Sequence, residues 1–246
     1  MPLRLSPARL MAILQPWKEI AEPIHRRLAQ IVDAEAGQEV LWVGCGTGRS
    51  VLWWARRYKT RVQGIDPDAD AIEAAERSSR NAGLAGLATF QAGTPADLPH
   101  EAHVFDVTVA NLLCLGGVDG ARVIAEMGRV ARPMSVVAAI VPTWLRTPEP
   151  RDARVLESVG VRPKLLMEWK SLFRDAGVVE LVVEAAAVDG GWIAEGWFGL
   201  IVRGWRAARW TGLRSVLSRE FIVLRKLVHR RMLGLSIVKG TRWPHS

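Results

Sequence analysis

The chain is poor in the residues that staple small folds. Its 246 residues include two cysteines, Cys45 and Cys114, in no CxxC pair and beside no histidine cluster. That excludes a disulfide framework and a zinc site as organising devices, and fits a reducing cytoplasm; no metal is expected. Long apolar runs are also missing. The longest, Val136 to Leu145, is interrupted by Pro142 and Thr143 and falls short of the roughly 20 residues that a membrane-spanning helix needs. Behind Arg4 and Arg9 only Leu10 to Leu14 is apolar, too short for a secretory signal and followed by no small-residue cleavage site. Acids are scarce at one end: from Gly196 to Ser246 Glu220 stands against eleven Lys/Arg, so this segment carries +10 while the whole chain carries +8. A near-neutral region is therefore followed by a strongly basic one, which points to an anionic partner such as a lipid surface or nucleic acid.

What is present is an ordinary globular composition, 49% hydrophobic and 24% charged, with length enough for one large α/β domain. Trp17, Ile20, Ala21, Ile24, Leu28 and Ile31 recur at three- and four-residue steps, so Trp17 to Val32 reads as an amphipathic helix that Gly37 closes off. Short apolar runs then alternate with longer helical patterns, the signature of a parallel sheet with crossover helices. Strands are expected at Glu39–Val43, Arg61–Asp66, Ala88–Gln91, Phe105–Asn111, Met134–Val141 and Val178–Val188. Helices are expected at Arg49–Tyr58, Asp68–Ala82, Val118–Val130 and Lys164–Ala176. The proline-rich stretch Pro142 to Pro150 reads as a loop at the carboxyl end of the fifth strand. Either Leu200 to Arg203 or Leu235 to Lys239 is the last strand. The organisation is a helical segment over 1–36, a Rossmann-like domain over 37–190, and a basic, tryptophan-rich region over 191–246.

After the first strand the chain reads Val43-Gly44-Cys45-Gly46-Thr47-Gly48-Arg49 and enters a helical pattern at once. Three glycines in a strand-to-helix turn let the backbone bend sharply and let a ligand lie against it. Arg49 stands where a dinucleotide fingerprint requires glycine, and no GK[ST] step for a P-loop follows. Asp66 lies 20 residues after Gly46, at the end of the second strand. An acid there can accept hydrogen bonds from both hydroxyls of a ribose, or it can cap the next helix, as can Asp68.

The ordered series VLWVGCGTGRS, VQGIDPDADAIEAAERSSRNAGL, FQAGTPADLP, FDVTVANLLCL, MGRVARPMSVVAAIVP and WKSLFRDAGVVELVV resembles the class I S-adenosylmethionine (SAM)-dependent methyltransferases, most of all the small-molecule branch that includes quinone-biosynthesis enzymes. The resemblance covers Pro16 to Val188. It implies an α/β, Rossmann-like methyltransferase fold: a central, mostly parallel seven-stranded sheet flanked by helices, with the basic helical region as a C-terminal insertion or appendage. It implies SAM as cofactor, with Gly44, Cys45, Gly46 and Gly48 at its methionine part and Asp66 on the ribose. Pro67 would lie beside the adenosine, Gly93 and Thr94 near the adenine, and Asn111 and Leu112 beside the reacting methyl group. Two positions depart from the pattern: Trp42 replaces an acid two residues before the first glycine, and Thr94 replaces the adenine-side acid.

Methyl transfer from a sulfonium needs alignment more than reactive side chains. Where the acceptor needs a general base, His100, His103 and His25 are the candidates. The absence of an Asn-Pro-Pro-aromatic motif after Ala110 disfavours exocyclic amines of nucleobases, whereas Leu112 and Leu113 suit an apolar acceptor. Beyond Gly191, Trp192, Trp197, Trp205 and Trp210 precede Leu213, Val216, Leu217, Phe221, Leu224, Leu227, Val228 and Met232 at helical spacing, with arginines on the other faces. Such a helix can lie in a membrane interface or pack its stripe on protein. The sequence thus favours methylation of a hydrophobic small molecule at the inner membrane face, with 196–243 as the lipid contact. An RNA-associated methyltransferase and a catalytically silent Rossmann-like scaffold, the latter motivated by Trp42 and Thr94, are the competing readings.

Overall fold

The computed structural model describes residues 21–112, 118–158, 161–185, 226–227 and 230–244. In chain order the elements are α1 (Ala21–Ile31), β1 (Glu39–Val43), α2 (Arg49–Tyr58), β2 (Arg61–Asp66), α3 (Ala69–Asn81), β3 (Ala88–Ala92), β4 (Phe105–Asn111) and α4 (Gly120–Val130). They continue with β5 (Ala131–Trp144), α5 (Pro150–Ser158), β6 (Lys164–Leu165), α6 (Leu166–Asp175), β7 (Val178–Ala185) and β8 (Leu233–Arg242). One sheet runs in the order β3-β2-β1-β4-β5-β8-β7, with the two-residue β6 added beside β5. β1 to β5 are parallel, and β8 runs antiparallel to both β5 and β7. This is the Rossmann-like, mostly parallel sheet that the alternation of runs implies.

Side chains of successive strand residues point to opposite faces, and β1 shows the consequence. Leu41 and Val43 join a core with Ile65, Val123, Ile124, Met127, Trp169 and Phe173 beneath α4 and α6. Val40 and Trp42 join a second core with Leu28, Val32, Val51, Trp54 and Ile72 beneath α1, α2 and α3. α1, α2, α3, α4 and α6 are thereby pinned to the sheet by their apolar stripes.

Three sequence expectations need correction. Pro142 does not end β5, which continues to Trp144. Its carbonyl accepts the Trp169 indole N–H at 2.9 Å, so both backbone positions of Pro142 face away from β8, into the gap between β4 and β6 where no donor is required. Lys164 and Leu165 are a strand and not helix: the Leu165 amide donates to the Glu168 carboxylate at 2.6 Å, which starts α6 one residue later. The helix after β4 begins at Gly120 because Asp119 caps it, accepting from the Ala121 amide at 3.0 Å. The strand beside β5 and β7 is Leu233–Arg242; the alternative, 200–203, lies outside the described residues. So do residues 17–20, the 113–117 stretch holding Leu113 and Cys114, the 186–188 end of the seventh strand, and Trp192 to Leu224.

Candidate cofactor and acceptor site

The turn from β1 into α2 closes through Gly44, Gly46 and Gly48, whose φ values are 76°, 51° and 78°. A side chain is strained in that left-handed region. At Gly48 the space is closed as well: a Cβ would stand 2.6 Å from Cε1 of Phe90 and 2.8 Å from the Cβ of Ala75. Close approach of α2 to β3 and α3 therefore depends on glycine there. No side chain caps α2, so its first amides present donors and the positive end of the helix dipole toward the turn.

Asp66, 8% exposed at the end of β2, is the hub of this edge. The Gly46 amide donates to its Oδ2 at 2.7 Å and the Asp68 amide to its Oδ1 at 3.1 Å. The amides of Gly44 and Cys45 both donate to the Ile65 carbonyl, at 2.8 and 3.1 Å, and the Gly93 amide donates to the Asp66 carbonyl at 3.1 Å. Helix capping falls to Asp68, whose Oδ1 accepts from the Asp70 and Ala71 amides. Each Asp66 oxygen can accept two hydrogen bonds and takes one from this edge, so one lone pair on each has room for a ligand hydroxyl.

Gly44, Cys45, Gly46, Gly48, Asp66, Pro67, Gly93 and Thr94 all fall at the carboxyl ends of β1 to β3. Pro67 and Thr94 are exposed there. Cys45 turns inward, its Sγ 2.8 Å from where a Cβ at Gly64 would be, so it offers the turn its backbone. At the end of β4, Asn111 is in register with Ile140, and the Leu112 amide donates to the Ile140 carbonyl at 2.9 Å. These two residues are half-buried beside the glycine turn's strand.

The acceptor side was not legible in sequence. At Thr143 and Trp144, β8 takes one hydrogen-bonding edge of β5 and β6 takes the other. That second edge is the one β4 uses lower down, so Lys164 and Leu165 lie directly ahead of the carboxyl end of β4. Trp169 completes the wall: a Cβ at Gly120 would touch its ring at 3.1 Å and Leu112 Cδ1 at 3.7 Å, and the Lys164 ammonium stands 5.9 Å from the ring centroid.

The three histidines separate. His100 and His103 precede β4 and lie at the amino end of the parallel strands, away from the glycine turn. The His103 ring meets the Ala131 carbonyl at 3.1 Å at the start of β5, and His100 packs edge-on against Phe105. Burial, then the Arg129 guanidinium, lowers the His100 pKa. The order of strand ends thus puts both at the edge opposite the glycine turn. His25 on α1 is 6% exposed, with Nε2 2.8 Å from the Ser50 hydroxyl at the start of α2. Burial lowers its pKa to about 4, and its ring packs against Trp42 at 5.1 Å. Trp42 is 1% exposed and packs edge-on against Trp54. The position two residues before Gly44 is thus used for packing. Among the described residues no group of three or more His, Cys, Asp or Glu could hold a metal ion.

Fold and site together define a Rossmann-like domain with a nucleotide-type cofactor cleft at its strand ends. Residues 40–134 match the methyltransferase domain family. Methyltransferase GfsG of Streptomyces halstedii is 32% identical over 120 residues, 49% of this chain and 43% of that protein. The crystal structure of the [4+2]-cyclase SpnF superposes with a TM-score of 0.77 at 21% identity, covering 93% of this chain and 83% of that one. Geranyl diphosphate methyltransferase in complex with SAM superposes with a TM-score of 0.73 at 18% identity, covering 96% of this chain and 90% of that one. Over residues 40–134 the chain is thus similar to methyltransferase domains, and it shares the Rossmann-like fold of these solved structures. The chain spans about half the length of the curated relatives it matches.

Proposed function

We propose that the chain is a SAM-dependent methyltransferase acting on a hydrophobic small molecule, and that it works at the cytoplasmic face of a membrane. The joint between Gly46 and Asp66 carries the cofactor half of this reading, because it holds the glycine turn and a buried carboxylate on one edge. The residues present fit SAM. Positive-φ glycines clear a path for its methionine part, the first amides of α2 suit its carboxylate, and Asp66 has lone pairs for the ribose hydroxyls. Pro67, Gly93 and Thr94 flank the adenosine. When bound, SAM supplies a methyl group on a sulfonium, transferred in line to a nucleophile as the electron pair leaves on sulfur. Asn111 and Leu112 position the acceptor at that methyl group, while Leu165 and Trp169 help exclude water. With His100 and His103 at the far edge and His25 packed on Trp42, the described side chains act by alignment.

The acceptor class is supported by the apolar wall and by the methyltransferases among the chain's relatives, one structural neighbour being a geranyl diphosphate methyltransferase. The membrane is supported by topology. The chain leaves β7 at Ala185 and returns at Leu233, both at the carboxyl edge, so the region from 186 to 232, with its basic and tryptophan-rich sequence, is joined to the acceptor side. On this reading 37–190 carry the cofactor and 191–246 seat the domain on anionic lipid. No helix among the described residues is long and apolar enough to cross a membrane. Vesicle flotation of the full chain tests the lipid contact; selective retention on RNA in its place would favour the nucleic-acid reading. Burial of Trp42 in the aromatic cluster favours a second reading, a silent scaffold, which requires that neither SAM nor S-adenosylhomocysteine bind.

A further inference from the structure

Large apolar side chains left exposed among the described residues are few, and three of them share one rim. Met167 is 82% exposed, Leu145 40% and Leu165 36%. Leu165 is in register with Trp144 across β5 and β6, and Leu145 follows Trp144, so the two leucines flank one strand end from opposite faces of the sheet. Leu145 lies over Gly234, where a Cβ would meet its side chain at 3.2 Å. Met167 projects from the first turn of α6, two residues after Leu165.

The rim stands ahead of the acceptor site. Asn111 is level with Ile140 and β5 continues four residues further to Trp144, which is about 13 Å at strand rise. Its charged neighbours are mainly cationic: Arg146 follows Leu145, Lys164 precedes Leu165 and Lys170 lies one turn beyond Met167. The carboxylate among them, Glu168, is engaged by the Leu165 amide at 2.6 Å. The basic region also re-enters here, since the Leu145 amide donates to the Met232 carbonyl at 2.9 Å.

We infer that Leu145, Leu165 and Met167 are the seat by which the chain settles on an anionic lipid surface, with the acceptor mouth facing the bilayer. This rests on the membrane reading above and names the surface responsible. Apolar tips enter the boundary between headgroups and acyl chains while Arg146, Lys164 and Lys170 meet lipid phosphates. Nucleic acid would use the cations and leave the tips in water. A second copy would cover the tips and bring like charges together.

The test is flotation of the full-length protein with vesicles of phosphatidylcholine containing phosphatidylglycerol, and of phosphatidylcholine alone. Wild type is expected to float with the anionic vesicles. Met167→Glu should lower the bound fraction by about fivefold or more, with SAM affinity unchanged as evidence of an intact fold. Met134→Glu, also exposed but at the opposite end of β5, should float as wild type. Met167→Glu binding as well as wild type overturns this inference alone. Failure of wild type to bind either vesicle overturns the membrane reading and the inference with it. A self-association or RNA retention that Met167→Glu abolishes, without vesicle binding, assigns the rim to that partner and likewise overturns the inference.

Discussion

The Gly46 amide and the Asp66 carboxylate meet at 2.7 Å across 20 residues of sequence. Because Gly46 belongs to the turn after β1 and Asp66 ends β2, this contact sets where the turn can sit and which way the carboxylate faces. Ligand geometry on this edge is decided by that joint.

Replacing Asp66 with Ala leaves the buried Gly46 N–H without its acceptor, which costs about 1–3 kcal/mol of stability. The same change removes the proposed ribose contact, so SAM affinity should fall tenfold or more. Asp66→Asn keeps an acceptor for Gly46 and should lose less stability. Chemical denaturation and ligand titration on both variants separate the two effects.

Two glycines with similar backbone angles should respond differently to alanine. Gly37 has φ 85° with nothing within 4 Å of a Cβ, so Gly37→Ala should cost only the backbone strain, about 1–2 kcal/mol. Gly48→Ala adds a clash with Phe90 and Ala75 at the cofactor turn. It should be clearly less stable than Gly37→Ala and should weaken SAM binding, which Gly37→Ala should not do.

His25 makes stability depend on pH. Its folded pKa of about 4 lies below the ordinary 6.5, so the unfolded chain binds more protons between these values and stability falls as pH drops through that window. The contribution is complete above pH 6.5 and amounts to on the order of 3 kcal/mol at full protonation. His25→Gln should flatten this part of the stability profile, measured by denaturation across pH.

Trp169→Phe removes the N–H that the Pro142 carbonyl accepts and also the far edge of the indole that faces Gly120. Loss of about 1–3 kcal/mol is expected, with SAM affinity unchanged on the proposal that Trp169 lines the acceptor side. A weakened SAM affinity in this variant would mean that the two walls are not separable.

Much of this frame was legible because its punctuation is local. The bounds of β1, α2, β2 and β4 follow from alternation, the glycine turn and the acid after β2, all read within a few residues. The wall on the acceptor side was hidden because it depends on partners far apart in sequence. Pro142 reads as a breaker until Trp169 supplies a donor to its carbonyl, and Lys164-Leu165 reads as helix until β5 offers it an edge. α5 was missed for the same reason: Pro150 closes the proline-rich stretch and also opens a helix, where its missing N–H costs nothing. The placement of His100 and His103 at the far edge was not legible, because nearness to β4 in sequence does not say which end of the strand a residue occupies.

The most direct test is calorimetric titration of the full-length protein with SAM. Binding in the micromolar range, with thermal stabilisation by SAM and S-adenosylhomocysteine, is the expected result. No heat and no stabilisation by either ligand would contradict the account and leave the scaffold reading in its place.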